Sequence, residues 1–398
     1  MKNHYMTSQF PSPVRSQSGF SLVELMVAIT ISLLILISMV GVYVNISRSN
    51  NEMAKTNIQI ENGRFAIQLL QNDIAHAGFW GGYVPQYDDL SSTADPVAAS
   101  TAGGTTPTAV PNPCLQYNVA NWTAEYKANL IGIPIQGFDA VPAGCTAVVT
   151  NKKANTDVLV LRHAETCLPG VGNCEADTPG KLYMQSSFCA TETATPFVLD
   201  TTGFTRHKKD CTTPADKRKF ISSIYYVRNY AATPGDGIPT LVRSQFDLLG
   251  SPAELKHPEE ATALIEGIEG FRVEFGIDAK SDTGADTNYA SAVVWSNPTN
   301  LRSPTNRGDG IPEGAFIRCA SANPATDPCN DPDKMIDVVA AKVYVLARSR
   351  ETSPGYKDTK TYKLGSAPEL GPFNDGYKRH VFSTTVRLTN VSGRRETP

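Results

Sequence analysis

The feature that most constrains this chain is an apolar run near its N-terminus, from Leu25 to Ser47, introduced by Gly19-Phe20-Ser21-Leu22-Val23-Glu24. Between Phe20 and Ser47 the one charged residue is Glu24, and Arg48 ends the run. As a helix rising 1.5 Å per residue the stretch extends roughly 40 Å, enough to cross a bilayer. A cleaved secretory signal has a core of about 7–15 apolar residues followed by a small-residue cleavage site. This run is nearly twice that length, and Arg48-Ser49-Asn50-Asn51 offers no such site. A plain membrane anchor fits the length and leaves Glu24 unexplained, because a carboxylate inside a membrane segment costs a few kcal/mol. A third pattern accounts for both: a small residue before the run, a carboxylate five residues later, and a cut on the cytoplasmic side.

The remaining chain, roughly 320 residues, is long enough for one large or two small domains with cores of their own. Net charge is −3 and the isoelectric point near 6.1, which argues against nucleic acid or an anionic membrane surface as partner. The 30 glycines and 27 prolines suit a β-rich, loop-rich ectodomain. Lys2 and Arg15 ahead of the run favour a cytoplasmic N-terminus, which would place the bulk of the chain in the periplasm.

All eight cysteines follow the apolar run: Cys114, Cys145, Cys167, Cys174, Cys189, Cys211, Cys319 and Cys329. An even count confined to the exported part reads as disulfides in an oxidising compartment. Of the 105 connectivities open to eight cysteines, the shortest loops pair Cys114 with Cys145, Cys167 with Cys174, Cys189 with Cys211 and Cys319 with Cys329.

Beyond Arg48 the periodicity predicts that the helix continues. Ile60, Gly63, Ile67, Leu70, Ile74 and Ala77 recur at helical spacing, and Gly78 supplies a stop, giving one helix of roughly 55 residues. Gly41 weakens it mildly. Residues 88–113 read as a Ser/Thr/Ala/Gly/Pro-rich loop, and 165–220, with weak periodicity, as a disulfide-pinned insertion. Strand patterns fall at Thr156–Arg162, Ser223–Arg228, Thr240–Arg243, Ile265–Phe275, Val338–Leu346 and Arg379–Asn390, with a turn at Thr233–Gly237 and a polar loop from Asp282 to Asn306. A long helix followed by antiparallel strands indicates an α+β fold.

The hexapeptide Gly19-Phe20-Ser21-Leu22-Val23-Glu24 resembles the prepilin signal of type IV pilins and type II secretion pseudopilins. That resemblance implies a membrane peptidase cutting after Gly19, N-methylation of Phe20, and a role for Glu24 in meeting the N-terminal amine of a neighbouring subunit. Asn62-Gly63-Arg64, Asp73-Ile74 and Ala77-Gly78-Phe79 resemble the PilW family of minor pilins, as do Asp157–Leu161, Tyr225–Arg228, Val343–Ser349 and Thr385–Asn390. The implied fold is pilin-like, with an assembly helix packed on an antiparallel head.

Other candidate chemistry is thin. His163, Cys167, Cys174 and Cys189 have loosely metal-like spacing without the close cysteine pair of a zinc site. Asp327, Asn330, Asp331 and Asp333 could suit calcium but lack EF-hand order. Arg307-Gly308-Asp309 is a tripeptide common by chance. The clusters Arg206–Lys209 and Lys217–Lys219 could touch phosphates, yet Asp210 and Asp216 intersperse them. No catalytic motif, cofactor site or metal site is expected.

The expected organisation is a leader (1–19), a transmembrane assembly helix (20–47), its amphipathic continuation (48–78) and a periplasmic head (79–398). The resemblance implies a minor subunit of a type IV pilus that helps initiate assembly, supporting twitching motility, adhesion or DNA uptake. Its partners would be other minor pilins, the major pilin, the prepilin peptidase and the inner-membrane assembly platform. Two alternatives remain at this point: a J-type minor pseudopilin, and an anchored periplasmic enzyme or binding protein.

Overall fold

A computed structural model describes residues 19–85, 107–192, 196–287, 294–297, 300–305, 308–320 and 327–393. The leader up to Ser18, residues 86–106 of the Ser/Thr-rich stretch, and Arg307 lie outside the described residues. The chain divides into two compact units, Met1–Ala54 and Lys55–Pro398.

Helix α1 runs from Leu22 to His76, 55 residues. In the first unit its most apolar window has a mean hydropathy of 2.7, and none of that window is buried. In the second unit α1 carries a buried stripe of Gln59, Gly63, Ala66, Leu70 and Ile74. This stripe corrects the expected face. Leu70, Ile74 and Gly63 point inward as expected, whereas Ile60 and Ile67 are only half-buried and Gln59 and Ala66 take the inner positions. The reason is close approach: small or hydrogen-bonded residues let the helix sit nearer the sheets than a full isoleucine row allows.

Among the described residues the head holds helix α2 (Ala124–Gly132) and fourteen strands. In chain order these are β1 (Ile135–Phe138), β2 (Val158–Ala164), β3 (Tyr183–Ser186), β4 (Phe197–Asp200), β5 (Lys217–Arg228), β6 (Thr240–Gln245), β7 (Asp247–Leu249), β8 (Glu254–Lys256), β9 (Thr262–Glu266), β10 (Ile268–Ile277), β11 (Val294–Asn297), β12 (Asn300–Thr305), β13 (Val338–Arg348) and β14 (Arg379–Arg387). One antiparallel sheet has the order β1-β2-β5-β3-β4, with β6 on β5 and β9 on β6. A second runs β10-β13-β14, and β7-β8 and β11-β12 form small hairpins.

Three readings of the sequence change. Ile265–Phe275 is two strands in different sheets, broken at Gly267, whose φ of +76° turns the chain between them. Residues 165–220 contribute β3, β4 and the start of β5 to the large sheet, so this segment is part of the fold's framework and more than an insertion. The stretch from Asp282 to Asn306 contains the β11-β12 hairpin.

The main core joins α1 to both sheets. Ala66, Leu70 and Ile74 pack with Leu159, Leu161, Tyr225 and Val227 from one side and Phe271, Val273 and Val343 from the other. Two buried charge networks brace the sheets. Asp157 binds Arg272 Nη1 at 2.7 Å and Arg318 Nη2 at 2.6 Å. Arg379 binds Glu269 at 2.5 Å, Asp358 at 2.8 Å and Asp375 at 2.7 Å. Removing one partner of such a buried set strands a desolvated charge.

Candidate functional site

The N-terminal end of α1 is a capping box. Ser21 N–H donates to Glu24 Oε2 at 2.9 Å, and Glu24 N–H donates to Ser21 Oγ at 3.3 Å. Two otherwise unsatisfied donors of the first turn are thereby met reciprocally. The Ser-x-x-Glu spacing is an ordinary cap signature, and it gives Glu24 a local role. The carboxylate sits at the positive end of the helix dipole, beside the chain atoms that lead back to Phe20. Phe20 itself is 88% exposed. From Leu22 to Ile46 the apolar side chains stay exposed, a surface that water does not tolerate and that lipid or other apolar helices would cover.

Within the second unit the same helix is fastened at named points. Gln59 Nε2 donates to the Ala347 carbonyl at 2.8 Å, and Asn62 Nδ2 to the Glu266 carbonyl at 3.1 Å. Gly63 faces the Phe382 ring so closely that an added Cβ would lie 2.2 Å from it. Asp73 accepts from the Tyr225 hydroxyl at 2.8 Å and faces His163 Nε2 at 3.2 Å. Burial works to raise the Asp73 carboxyl, but His163 and the Tyr225 hydroxyl outweigh it and hold the group below the ordinary carboxylate range. At the end of the helix Gly78, with φ +78°, donates its N–H to the Arg162 carbonyl at 3.0 Å. Asn390 Nδ2 donates to the Ala75 and Ala77 carbonyls, each at 3.2 Å, capping carbonyls that the helix leaves open.

Several of the residues that carried the resemblance to PilW gather at one place. Asn62, Gly63, Asp73, Gly78 and Asn390 all join α1 to the head. Periodicity marked Gly63 and the helix stop marked Gly78, but neither signal could single out Asn62, Asp73 or Asn390, because none is a core hydrophobe. His163 and Tyr225 were named for other reasons, but their pairing with Asp73 was missed because each lies on a strand remote in sequence.

The structure pairs Cys114 with Cys145, Cys167 with Cys174, Cys189 with Cys211 and Cys319 with Cys329. His163 is committed to Asp73 and three of its loosely metal-like companions to disulfides. Asp327 and Asp331 accept from the backbone N–H groups of Cys329 and Asp333, the work of local caps. Asp309 N–H donates to Asp278, and Glu313 accepts from Ala279 and Lys280 N–H groups, so this acidic trio pins its loop together. Burial and their neighbouring carboxylates raise the Asp309 and Glu313 carboxyls.

The basic clusters are largely neutralised inside the head. Lys208 pairs with Asp216, Lys217 with Asp177, and Lys219 with Glu175 and Asp247. Arg218 donates to the Glu165 carbonyl and lies over the Phe79 ring. Phosphate binding needs cations free to displace counterions, and Lys208, Lys217 and Lys219 already face carboxylates.

Two family models match the chain. One, described as a type IV pilus-assembly protein W, covers residues 224–390, which span β5 through Asn390; the other, the prokaryotic N-terminal methylation motif, covers residues 14–40. Among solved structures, a type IV-like pilin from Thermus thermophilus matches with 12% identity and a TM-score of 0.22, over 59% of this chain and 80% of that one. No curated protein matches. The long apolar N-terminal helix and the antiparallel head accompany these two matches: residues 224–390 are similar to the pilus-assembly protein W family, and residues 14–40 to the prepilin-type methylation motif.

Proposed function

We propose that the chain is a minor subunit of a type IV pilus that helps initiate filament assembly. The observation that carries the reading is the division of α1: its first part exposes an unbroken apolar surface ending in the Ser21–Glu24 box, and its second part is anchored in a folded head. In this reading prepilin peptidase cuts after Gly19 and Phe20 becomes the methylated N-terminus. The helix enters the filament core from the inner membrane, and Glu24 sets register against the amine of an adjacent subunit. A bare carboxylate in an apolar bundle is costly, and a buried ammonium beside it offsets that cost. The head lies in the periplasm and later on the filament, contacting other minor pilins, the major pilin and the assembly platform. Motility, adhesion or DNA uptake would follow from the filament itself.

The test is mass spectrometry of the mature N-terminus together with the Glu24→Ala variant. N-methyl-phenylalanine at position 20 is expected, and Glu24→Ala should be processed and inserted yet assemble few filaments. An intact Met1, or normal piliation in the variant, contradicts the reading. The methylation signal is shared with secretion pseudopilins, which keeps a J-type pseudopilin as the second reading. Deletion separates them: loss of pili supports the first, loss of enzyme secretion with pili intact supports the second.

A further inference from the structure

The two edges of the β10-β13-β14 sheet are treated differently by the chain. On β10 the outward backbone groups belong to Phe271, Val273 and Phe275. The Phe271 carbonyl accepts from Asp157 N–H at 2.9 Å, Val273 N–H donates to Asp157 Oδ2 at 3.0 Å, and Phe275 exchanges two 2.8 Å bonds with Ile317. That edge is closed.

The edge along β14 is open. β13 and β14 pair through nine consecutive positions, Ala340 with Arg387 to Arg348 with Arg379, without a bulge. The bonds just beyond the strands, Leu388 N–H to Val339 and Ser349 N–H to Lys378, show which residues of β14 turn their backbone toward β13. By alternation these are His380, Phe382, Thr384 and Val386, so Val381, Ser383 and Thr385 present their N–H and C=O groups away from the sheet. Among the described residues none of those three finds a backbone or side-chain partner, and Ser383 and Thr385 are exposed. Proteins usually blunt such an edge with a proline, a bulge or a covering segment. β14 has no proline and no bulge.

We propose that the β14 edge is a docking strand, to which an extended segment of another filament subunit adds antiparallel, with carboxylates near the ends of that segment. This rests on the pilus reading only for the identity of the partner. The charge of the edge selects the occupant. His380 and Arg387 are exposed, and no carboxylate occurs from Lys378 to Gly393. A second copy fits poorly, because its own edge strand, with no carboxylate from Lys378 to Gly393, offers His380 and Arg387 no counter-charge. Strand addition derives its affinity from main-chain bonds and its choice of partner from side chains such as these.

The experiment uses the full-length chain in its own cells with a benzoylphenylalanine photo-crosslinker replacing Thr385. Irradiation should join it to another filament subunit. Ser383→Pro removes one outward N–H and no bond to β13, and should cut the adduct about tenfold, as expected for one or two lost strand bonds. His380→Glu, which keeps the backbone intact, should also reduce it. Adduct with a second copy of this chain, no adduct, or an adduct indifferent to both substitutions overturns the proposal. An adduct that responds to both substitutions but joins a protein outside the filament keeps the docking strand and overturns its assignment to a filament subunit. Filaments are scored separately in a strain lacking the chain: normal pili there sink the pilus reading while leaving the edge result to stand alone.

Discussion

The two parts of helix α1 obey different rules although the backbone between Leu22 and His76 is one helix. In the first unit nothing in its most apolar window is buried, and specificity is confined to the Ser21–Glu24 cap. In the second unit the inward positions are Gln59, Gly63, Ala66, Leu70 and Ile74, of which three are small or polar, and each contact is particular. Apolar surface alone is non-directional and roughly proportional to area, so it fixes no single register. Fixed register against a sheet needs hydrogen bonds and close approach, which Asn62, Gly63 and Asp73 supply.

That contrast can be broken most severely in the head. Asp157→Ala leaves Arg272 and Arg318 without their shared carboxylate, and should lower unfolding free energy by about 3–5 kcal/mol in urea titration. A loss under about 1 kcal/mol would mean that solvent replaces the carboxylate, at odds with the burial of that cluster. Gly63→Val drives a side chain into the Phe382 ring and should cost about 1–3 kcal/mol, with the fluorescence or circular-dichroism midpoint as readout. Gly63→Ala should cost less, since the ring can rotate; equal costs would show that the backbone, and not the ring, sets the limit.

Smaller effects sharpen the comparison further. His257 is buried beside Ser222 and Ser244, and burial, with Arg162 nearby, pushes its pKa down to about 3. The unfolded imidazole titrates near 6.5, so its neutral form contributes fully above that pH and the contribution is lost as pH falls toward 3. Between pH 7.5 and 5 the head should lose about 1–2 kcal/mol, and His257→Gln should flatten that slope. The depressed Asp73 carboxyl acts in a lower window, its stabilisation being present above about pH 4 and lost on further acidification. Asn390→Ala removes the cap on Ala75 and Ala77 and should cost about 1 kcal/mol. Leu36→Ala, at an exposed position of the first unit, should leave the head's midpoint within about 0.5 kcal/mol of wild type. A larger shift would mean that the two parts are energetically coupled.

Much of the architecture was legible because periodicity is a local signal. The apolar run, the helix stop at Gly78 and the strands around Val158–Leu161, Tyr225–Arg228 and Val343–Leu346 announce themselves within a dozen residues. Gly267 was readable only as a glycine; that it parts two sheets depends on Pro239 and Arg348, which take its N–H and its carbonyl. The short strands β3 and β4 lie among cysteines and lysines whose pattern carries no alternation, and they are strands because β5 pairs with β3. Propensity is weak there, and the tertiary neighbour decides.

By itself the sequence determined a membrane-length apolar helix, a lone acid at its start, an even set of cysteines and a β-rich remainder, since each follows from residue type and short-range spacing. Only the tertiary structure decided which face of the helix meets the head, which polar residues fasten it, and which sheet edge stays open. Those depend on atoms brought together from segments more than a hundred residues apart, such as Asp73 with Tyr225 and Ala75 with Asn390, and no local pattern records them.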